Sequence, residues 1–563
     1  MTTTQFDAIV VGSGITGGWA AKELTEAGLK VLMIERGRDI PHQSGYKTET
    51  VPPWEMPFRG AGDAAVFARE YAVQSRNRAF DEWTQHHFVN DAQNPYSTAP
   101  EGDAFDWWRS YQLGGRSLTW GRQAYRWSDY DFGANKRDGH GVDWPIRYAE
   151  LAPWYDKVEE FIGVSGSAEG LAALPDGKFQ PPMALNVVEA HVKSLIEKRH
   201  PDRKLIIGRT ANLTEGKAGR SPCQYRGICA RGCSYGAYFS TQSSTLPAAK
   251  KTGRLTLLTD SLVEEVVYDS AARRATGVRV FDTATRTRQE YHARLVFLNA
   301  GAFNSNHLLL RSRSASFPNG LANSSGVLGT HIMDHANALA AVSLIPGFED
   351  RTTYGNRPTG IVIPRFRNLE RQDGANFTRG YSYQGGALRG AWKIGNRAPG
   401  VGAQLKKKLR RPGPWQMVLL SYAECLPYAR NRLSLDEKKV DSQGSPLLKI
   451  DFKFGDNERA ALIDAATEAK AMLGLANGHT VMSTTEPGRG GTAIHEMGGA
   501  RMGRDPKTSV LDPFSRAHDV PNLFVTDGAQ MSSSACQNPS LTFMALTARA
   551  CDHAVSLVKQ GVV

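Results

Sequence analysis

The sequence predicts an α/β fold organised around a Rossmann-type nucleotide-binding unit, and three observations carry that prediction. Near the N-terminus a strand, a glycine-rich turn, a helix and a second strand follow one another without interruption. Near the C-terminus, Asn522-Leu523-Phe524-Val525-Thr526-Asp527-Gly528 reads as a further short apolar strand with an acid at its end. Glycine makes up 56 of 563 residues, which favours tight turns and close approach of the backbone to a ligand.

Ala8-Ile9-Val10-Val11 has the wholly apolar, β-branched pattern of a parallel strand buried on both faces. It feeds Gly12-Ser13-Gly14-Ile15-Thr16-Gly17-Gly18. Trp19 to Ala27 then places Ala20, Ala21, Leu24 and Ala27 at helical spacing, with Gly28 as the stop, and Val31-Leu32-Met33-Ile34 is a second strand ended by Glu35. Gly12 permits the tight turn, Gly14 lets the backbone approach a pyrophosphate, and Gly17 lets the helix lie close to the strand. Phosphates sit at the helix N-terminus, where free N–H groups and the dipole favour an anion. Glu35, 23 residues after Gly12, can accept a hydrogen bond from a ribose hydroxyl. The motif alone leaves NAD and FAD open; Glu35-Arg36-Gly37 and the extreme N-terminal position lean towards FAD.

Composition narrows the function classes. Charged residues are 22% and apolar ones 41%, an ordinary globular balance. The net charge of +12 has no nucleic-acid motif beside it, and its densest run, Lys406-Lys407-Lys408-Leu409-Arg410-Arg411, reads first as a solvated face and second as a docking site for an acidic partner. No apolar run nears the ~20 residues of a spanning helix; Ala338 to Ile345, interrupted by Ser343, comes nearest. Met1 to Asp7 has no basic region, so no signal peptide of its own is expected.

Two C-terminal segments carry chemistry. Ala493-Ile494-His495-Glu496-Met497-Gly498-Gly499-Ala500-Arg501-Met502-Gly503 sets one histidine against a glycine-rich stretch, and Ser532-Ser533-Ser534-Ala535-Cys536-Gln537-Asn538-Pro539 opens a long apolar helix from Leu541 to Val555. Together with the N-terminal motif this resembles the glucose–methanol–choline (GMC) family of FAD-dependent alcohol oxidoreductases, whose Rossmann-type FAD-binding domain is interleaved with a substrate domain built on an antiparallel sheet. Gly114-Gly115-Arg116-Ser117 is similar to the family's second flavin-contacting turn, Val296 to Gly301 to the strand and turn that close on the dinucleotide, and Asp527-Gly528 to its contact with the flavin ribityl and pyrophosphate.

The resemblance implies that His495 is the catalytic base and Asn538 its companion. His495 would take the hydroxyl proton while the carbinol hydride moves to flavin N5, and Asn538 would donate to the developing alkoxide. An imidazole, with its pKa nearest neutrality, suits that task. Thr119 stands where some members attach FAD through a histidine, so FAD is expected to be non-covalent. Trp120 stands where many keep an Asn, so reactivity with oxygen is not carried over.

Cys223-Gln-Tyr-Arg-Gly-Ile-Cys229-Ala-Arg-Gly-Cys233 puts three thiols within eleven residues. That number leaves one over from any disulfide, and zinc would want a fourth ligand that no neighbouring histidine supplies. Iron–sulfur clusters take thiolates, and three ligands suggest one iron fewer than the cubane. The spacing resembles the bacterial dehydrogenase branch of the family, whose catalytic subunit carries a [3Fe-4S] cluster and passes electrons to a partner, often a cytochrome. In that branch the catalytic subunit is exported with a signal-bearing small subunit, which implies the periplasm if such a partner exists and the cytoplasm if not. A plain thiol cluster is the bland alternative; Cys425, Cys536 and Cys551 read as buried thiols.

The resemblance divides the chain into FAD-binding segments at 1–45, 105–135, 215–330 and 490–563, a lid or extended loop at 46–104, and a substrate domain from 136–214 and 331–489. Trp107, Trp108, Trp120 and Trp127 cluster near the second turn, suited either to stacking on a sugar or to core packing. The expected activity is an FAD-dependent dehydrogenase acting on a secondary hydroxyl of a sugar or glycoside, C3 among the candidate positions. The alternatives are an oxidase using oxygen and a flavin-binding electron carrier without catalysis.

Overall fold

The computed structural model describes residues 5–100, 102–370, 372, 376–390 and 399–563; Met1 to Thr4, the start of the segment read as lacking a signal, lie outside them. Its seven-stranded sheet runs Leu255–Leu258, Val31–Ile34, Gln5–Val11 and Arg288–Leu298 in parallel, with Leu523–Val525 parallel against the end of Arg288–Leu298. The start of that strand pairs antiparallel with Arg274–Asp282, which pairs in turn with Ser261–Asp269. The apolar runs are buried on both faces, as parallel strands covered by helices require.

Register places the site. Val11 lies opposite Ile34 and Leu298, and Leu298 opposite Val525. Gly12, Glu35, Asn299 and Thr526 therefore leave the sheet together at one carboxyl edge, where ligands of such sheets bind. The first helix spans Ile15–Glu26, starting four residues before the predicted Trp19. The glycines that read as a loop form its first turn: a Cβ on Gly17 would lie 1.9 Å from the Gly12 carbonyl oxygen. Gly12 itself has φ +92° and no room for a side chain, since a Cβ would come 2.5 Å from the Asn299 carbonyl oxygen.

A six-stranded antiparallel sheet is ordered His479–Met482, Ala336–Ile345, Trp415–Ala423, Tyr381–Leu388, Ile361–Ile363 and Ile206–Ile207. Helix Asp456–Gly474 covers one face with Leu462, Ala465, Ala469, Met472 and Leu473. The period of two leaves Val418, Leu420 and Tyr422 pointing the other way, into a cavity.

A five-stranded sheet links the two, ordered Met497–Gly499, Thr330–Met333, Arg432–Val440, Pro446–Asp451 and Ser97–Thr98. Among its described residues the segment 46–104 is mostly turns and short 3-10 helices, with one α-helix, Ala64–Glu70. Lys406, Lys407 and Lys408 lie on the exposed helix Gly402–Leu409. Among the described residues no helix is long and apolar enough to cross a membrane.

Candidate active site

One continuous cleft runs along the carboxyl edge of the parallel sheet. Gly12, Gly14, Glu35, Gly115, Ser117, Gly301, Asp527 and Gly528 line it, and so do His495 and Asn538 at its far end. Gly17 and Gly114 stand back from the wall, Gly17 in the helix–strand packing role read for it and Gly114 in place of the flavin contact expected of its turn. Gly17 packs the helix onto Gly12, and Gly114 offers its N–H to Ser13 Oγ at 2.8 Å while its Cα faces Gln242. Thr119 and Trp120 line the cleft as well.

The cleft fits a dinucleotide. A Cβ on Gly14, the N-cap of Ile15–Glu26, would meet nothing within 4 Å, so helix-end backbone faces open space where a pyrophosphate could lie. Glu35 Oε2 accepts from Ser13 Oγ at 2.6 Å and Ser13 N at 3.2 Å and its Oε1 from Gly37 N at 2.9 Å, which leaves Oε1 a lone pair for a ribose. Asp527 accepts from Ser305 Oγ at 2.5 Å and Gly301 N at 2.9 Å, and burial pushes its carboxyl up to about 6.

At the other end His495 is held from two sides. Its Nδ1 lies 2.8 Å from Nδ1 of His335, and its Nε2 lies 3.0 Å from Nδ2 of Asn538. Asn538 Oδ1 accepts from Gln384 Nε2 at 2.5 Å, which turns the amide's N–H group towards the imidazole. Burial, followed by the nearby His335, Arg116 and Arg78, holds the His495 imidazole well below its ordinary pKa, so the ring is neutral at neutral pH. A neutral imidazole nitrogen at a cavity wall, with an amide donor beside it, can take a proton from an alcohol while that donor holds the oxygen.

The loop carrying His495 is pinned from below. Asp334, wholly buried, accepts from Gly491 N at 2.8 Å, Ala493 N at 3.3 Å and His495 N at 3.0 Å. Burial, then the neighbouring Glu496, pushes its carboxyl up to about 7. Glu496 forms a two-pronged bond to Arg116 of the second glycine turn, at 2.9 and 2.8 Å, which ties the histidine loop to the cleft. Asp334, His335 and Gln384 carry no functional mark in the sequence, and Arg116 stands there only within the second glycine turn, with no tie to the histidine loop; all four lie on strands and turns far from the histidine motif.

Beyond His495 the cleft meets a cavity of about 820 Å³ against the six-stranded sheet, sharing Arg78, Arg122, Gln123, Gln384 and Tyr422 with it. Its aromatic lining is Tyr225, Tyr354 and Tyr422. The four tryptophans are elsewhere: Trp107, Trp108 and Trp120 line the first cleft, and Trp127 is core, packed edge-on to Trp144 at 6.0 Å.

Cys223, Cys229 and Cys233 are half-buried free thiols on a loop outside the cleft. The turn Cys229–Arg231 nevertheless packs against the cleft turn Gly115–Leu118. Among the described residues only Asp334, His335 and His495 bring three potential ligand atoms within 4.8 Å of one another, so at least one pair of the three sulfurs stands farther apart than that. Arg226 Nη2 lies 4.0 Å from Cys233 Sγ, and the buried Arg220 keeps Nη2 without a hydrogen-bond partner. Both oxygens of Asp334 are already taken by backbone N–H groups, so the Asp334–His335–His495 group reads as a hydrogen-bonded one.

Comparison with known proteins identifies a family and a fold. The family described as GMC oxidoreductase matches residues 6–337 with its N-terminal part and 427–547 with its C-terminal part. The 2-methyl-1,2-propanediol dehydrogenase of Mycolicibacterium austroafricanum is 28% identical, over 98% of this chain and 96% of its own. The fructose dehydrogenase large subunit of Gluconobacter japonicus is 25% identical, over 99% of both chains. In fold, the pyridoxine 4-oxidase crystal structure matches with a TM-score of 0.61 at 17% identity, covering 97% of this chain and 98% of that one.

Proposed function

Since the chain belongs to the GMC oxidoreductase family, we propose that it is an FAD-dependent dehydrogenase that oxidises a secondary hydroxyl of a sugar or glycoside to a ketone, with ring C3 the first position to examine. The observation that carries this reading is the placement of His495 Nε2 and Asn538 Nδ2, 3.0 Å apart, where the nucleotide cleft opens into the wide polar cavity. FAD, when bound, supplies the hydride acceptor. Gly12, Gly14 and Glu35 would hold its adenosine half and pyrophosphate, and Gly115, Ser117, Gly301, Asp527 and Gly528 the remainder. His495 Nε2 receives the hydroxyl proton, and Asn538 holds the oxygen as charge develops on it. Thr119 offers no imidazole for the histidyl–flavin bond that some members make, so the cofactor is held non-covalently.

Cys223, Cys229 and Cys233 are proposed to hold a [3Fe-4S] cluster that carries electrons to a small subunit or a cytochrome. Supporting this are the free state of the thiols, the packing of their loop on the cleft, and the unpaired Arg220 Nη2, which an anionic cluster would neutralise. The relative named as a large subunit supports a partner, and co-export with it would place the enzyme in the periplasm. An absorption spectrum of anaerobically purified protein tests the reading. It predicts flavin bands on a broad iron–sulfur shoulder, with the flavin bleached by one or more sugars or glycosides. Flavin without iron, and peroxide formed under air, would make it an oxidase; no bleaching across sugars and alcohols would leave it an electron carrier.

A further inference from the structure

Two imidazoles in contact must agree on their protons, and here a carbonyl decides for both. Strands Thr330–Met333 and Met497–Gly499 run antiparallel with Met333 opposite Met497, so the chain beyond them brings Asp334 towards Glu496 and His335 towards His495. His335 is completely buried, and its Nε2 lies 2.9 Å from the carbonyl oxygen of Ala535. A carbonyl only accepts, so that nitrogen carries the hydrogen. Burial pushes the His335 imidazole down to about 4, so the ring is neutral and its Nδ1 holds a lone pair. His495 Nδ1, 2.8 Å away, must then be the donor. Its own ring being neutral, Nε2 is left with a lone pair, in line with the N–H group that Asn538 directs at it.

We propose that His335 is a positioning residue that fixes the tautomer of His495 as Nδ1–H, so that Nε2 keeps a lone pair at the substrate cavity, accepting from Asn538 until an alcohol hydroxyl takes that place. The proposal deepens the reading of His495 as the base and rests on it. With the other tautomer, Nε2 would present a hydrogen to the alcohol and could not take its proton; misassigned tautomers of catalytic histidines are costly for the same reason. The arrangement needs no charged partner. Around the pair the charged and titratable groups are Arg116 and Arg78, which raise the cost of protonating His495, Asp334 and Glu496 beneath the loop, and Tyr422, whose ring lies 6.1 Å from that of His495. The three backbone N–H groups on Asp334 hold the loop, whereas His335 alone contacts the ring's far nitrogen.

The test uses two nearly equal-sized replacements. His335→Asn puts an acceptor oxygen where Nδ1 stands but cannot reach Ala535; His335→Leu provides neither. Both lose the Ala535 bond, so a merely structural role predicts equal losses in melting temperature, flavin content and activity. Tautomer control predicts a split. In flavin-loaded His335→Leu, kcat falls about 10- to 100-fold with KM little changed, while His335→Asn keeps most of the rate. Nitrogen-15 NMR of histidine-labelled protein, with the His495 signals assigned by a His495→Asn variant, reads the tautomer without turnover. It should show Nδ1–H and bare Nε2 in the wild type and in His335→Asn, and a mixture in His335→Leu. A wild-type Nε2–H signal, an unchanged tautomer in His335→Leu, or an equal loss of rate in the two variants would overturn the proposal. Metal bound between the rings, shown by activity lost to a chelator and restored by a divalent cation, would also overturn it. A tautomer that shifts while the rate does not would uphold control of the ring by His335 and refute His495 as the base.

Discussion

The loops 491–497 and 223–233 differ in how completely the protein satisfies them. The first is saturated from within: Asp334 takes three of its backbone N–H groups, Glu496 is locked to Arg116, and both nitrogens of His495 have partners. The second is half-buried, its thiols are free, and an adjacent buried guanidinium lacks one partner. A site that acts through its own side chains is preorganised by its own hydrogen bonds. Under the proposed reading, the unused donor of the guanidinium beside the thiols would be satisfied by the bound cluster.

That contrast can be broken most decisively on the cysteine side. Replacing Cys223, Cys229 and Cys233 by Ser should reduce bound iron from about three atoms per chain to near zero while flavin content stays unchanged; equal iron in the variant would show that the loop holds no cluster. On the histidine side, Asn538→Ala removes one donor and should lower kcat about 100-fold, as loss of one oxyanion donor does elsewhere. Steady-state kinetics on the flavin-loaded variant measure this, and an unchanged kcat would remove Asn538 from the mechanism. Asp334→Asn keeps one acceptor oxygen but sets an amide N–H against a backbone N–H, and should cost about 2 kcal/mol by chemical denaturation. Proton dependence sharpens the comparison further. Because burial lowers the pKa of His495, its base form persists as pH falls below 6.5, so the acid limb of kcat should lie below that value. A limb centred at 6.5 would mean a solvated imidazole. The smallest effect is expected at Lys406, Lys407 and Lys408. Their exposure predicts less than about 0.5 kcal/mol for neutralisation, and a slower reaction with an acidic acceptor would assign them to docking.

What the sequence disclosed was local. The strand–glycine–helix–strand order around Gly12 and Glu35 depends on steric and helix-end rules that act within a few residues, and it was legible for that reason. His495 and Asn538 stood out through the motifs flanking them. His335 did not, because its meeting with His495 comes from an antiparallel register between segments 160 residues apart in the chain. Gly114 shows a finer limit: adjacent glycines in one turn differ in which faces the cleft, and only backbone direction decides. Trp127 reads like its neighbours in sequence, yet it packs on Trp144 in the core. The wide cavity was invisible because alternate residues of separate strands line it.

The reductive half-reaction under anaerobic conditions tests the central assignment most directly. With a substrate that bleaches the wild-type flavin, His495→Ala should retain its flavin and bleach at least about 100-fold more slowly. A variant that bleaches at the wild-type rate would contradict the assignment of His495 as the group that takes the proton.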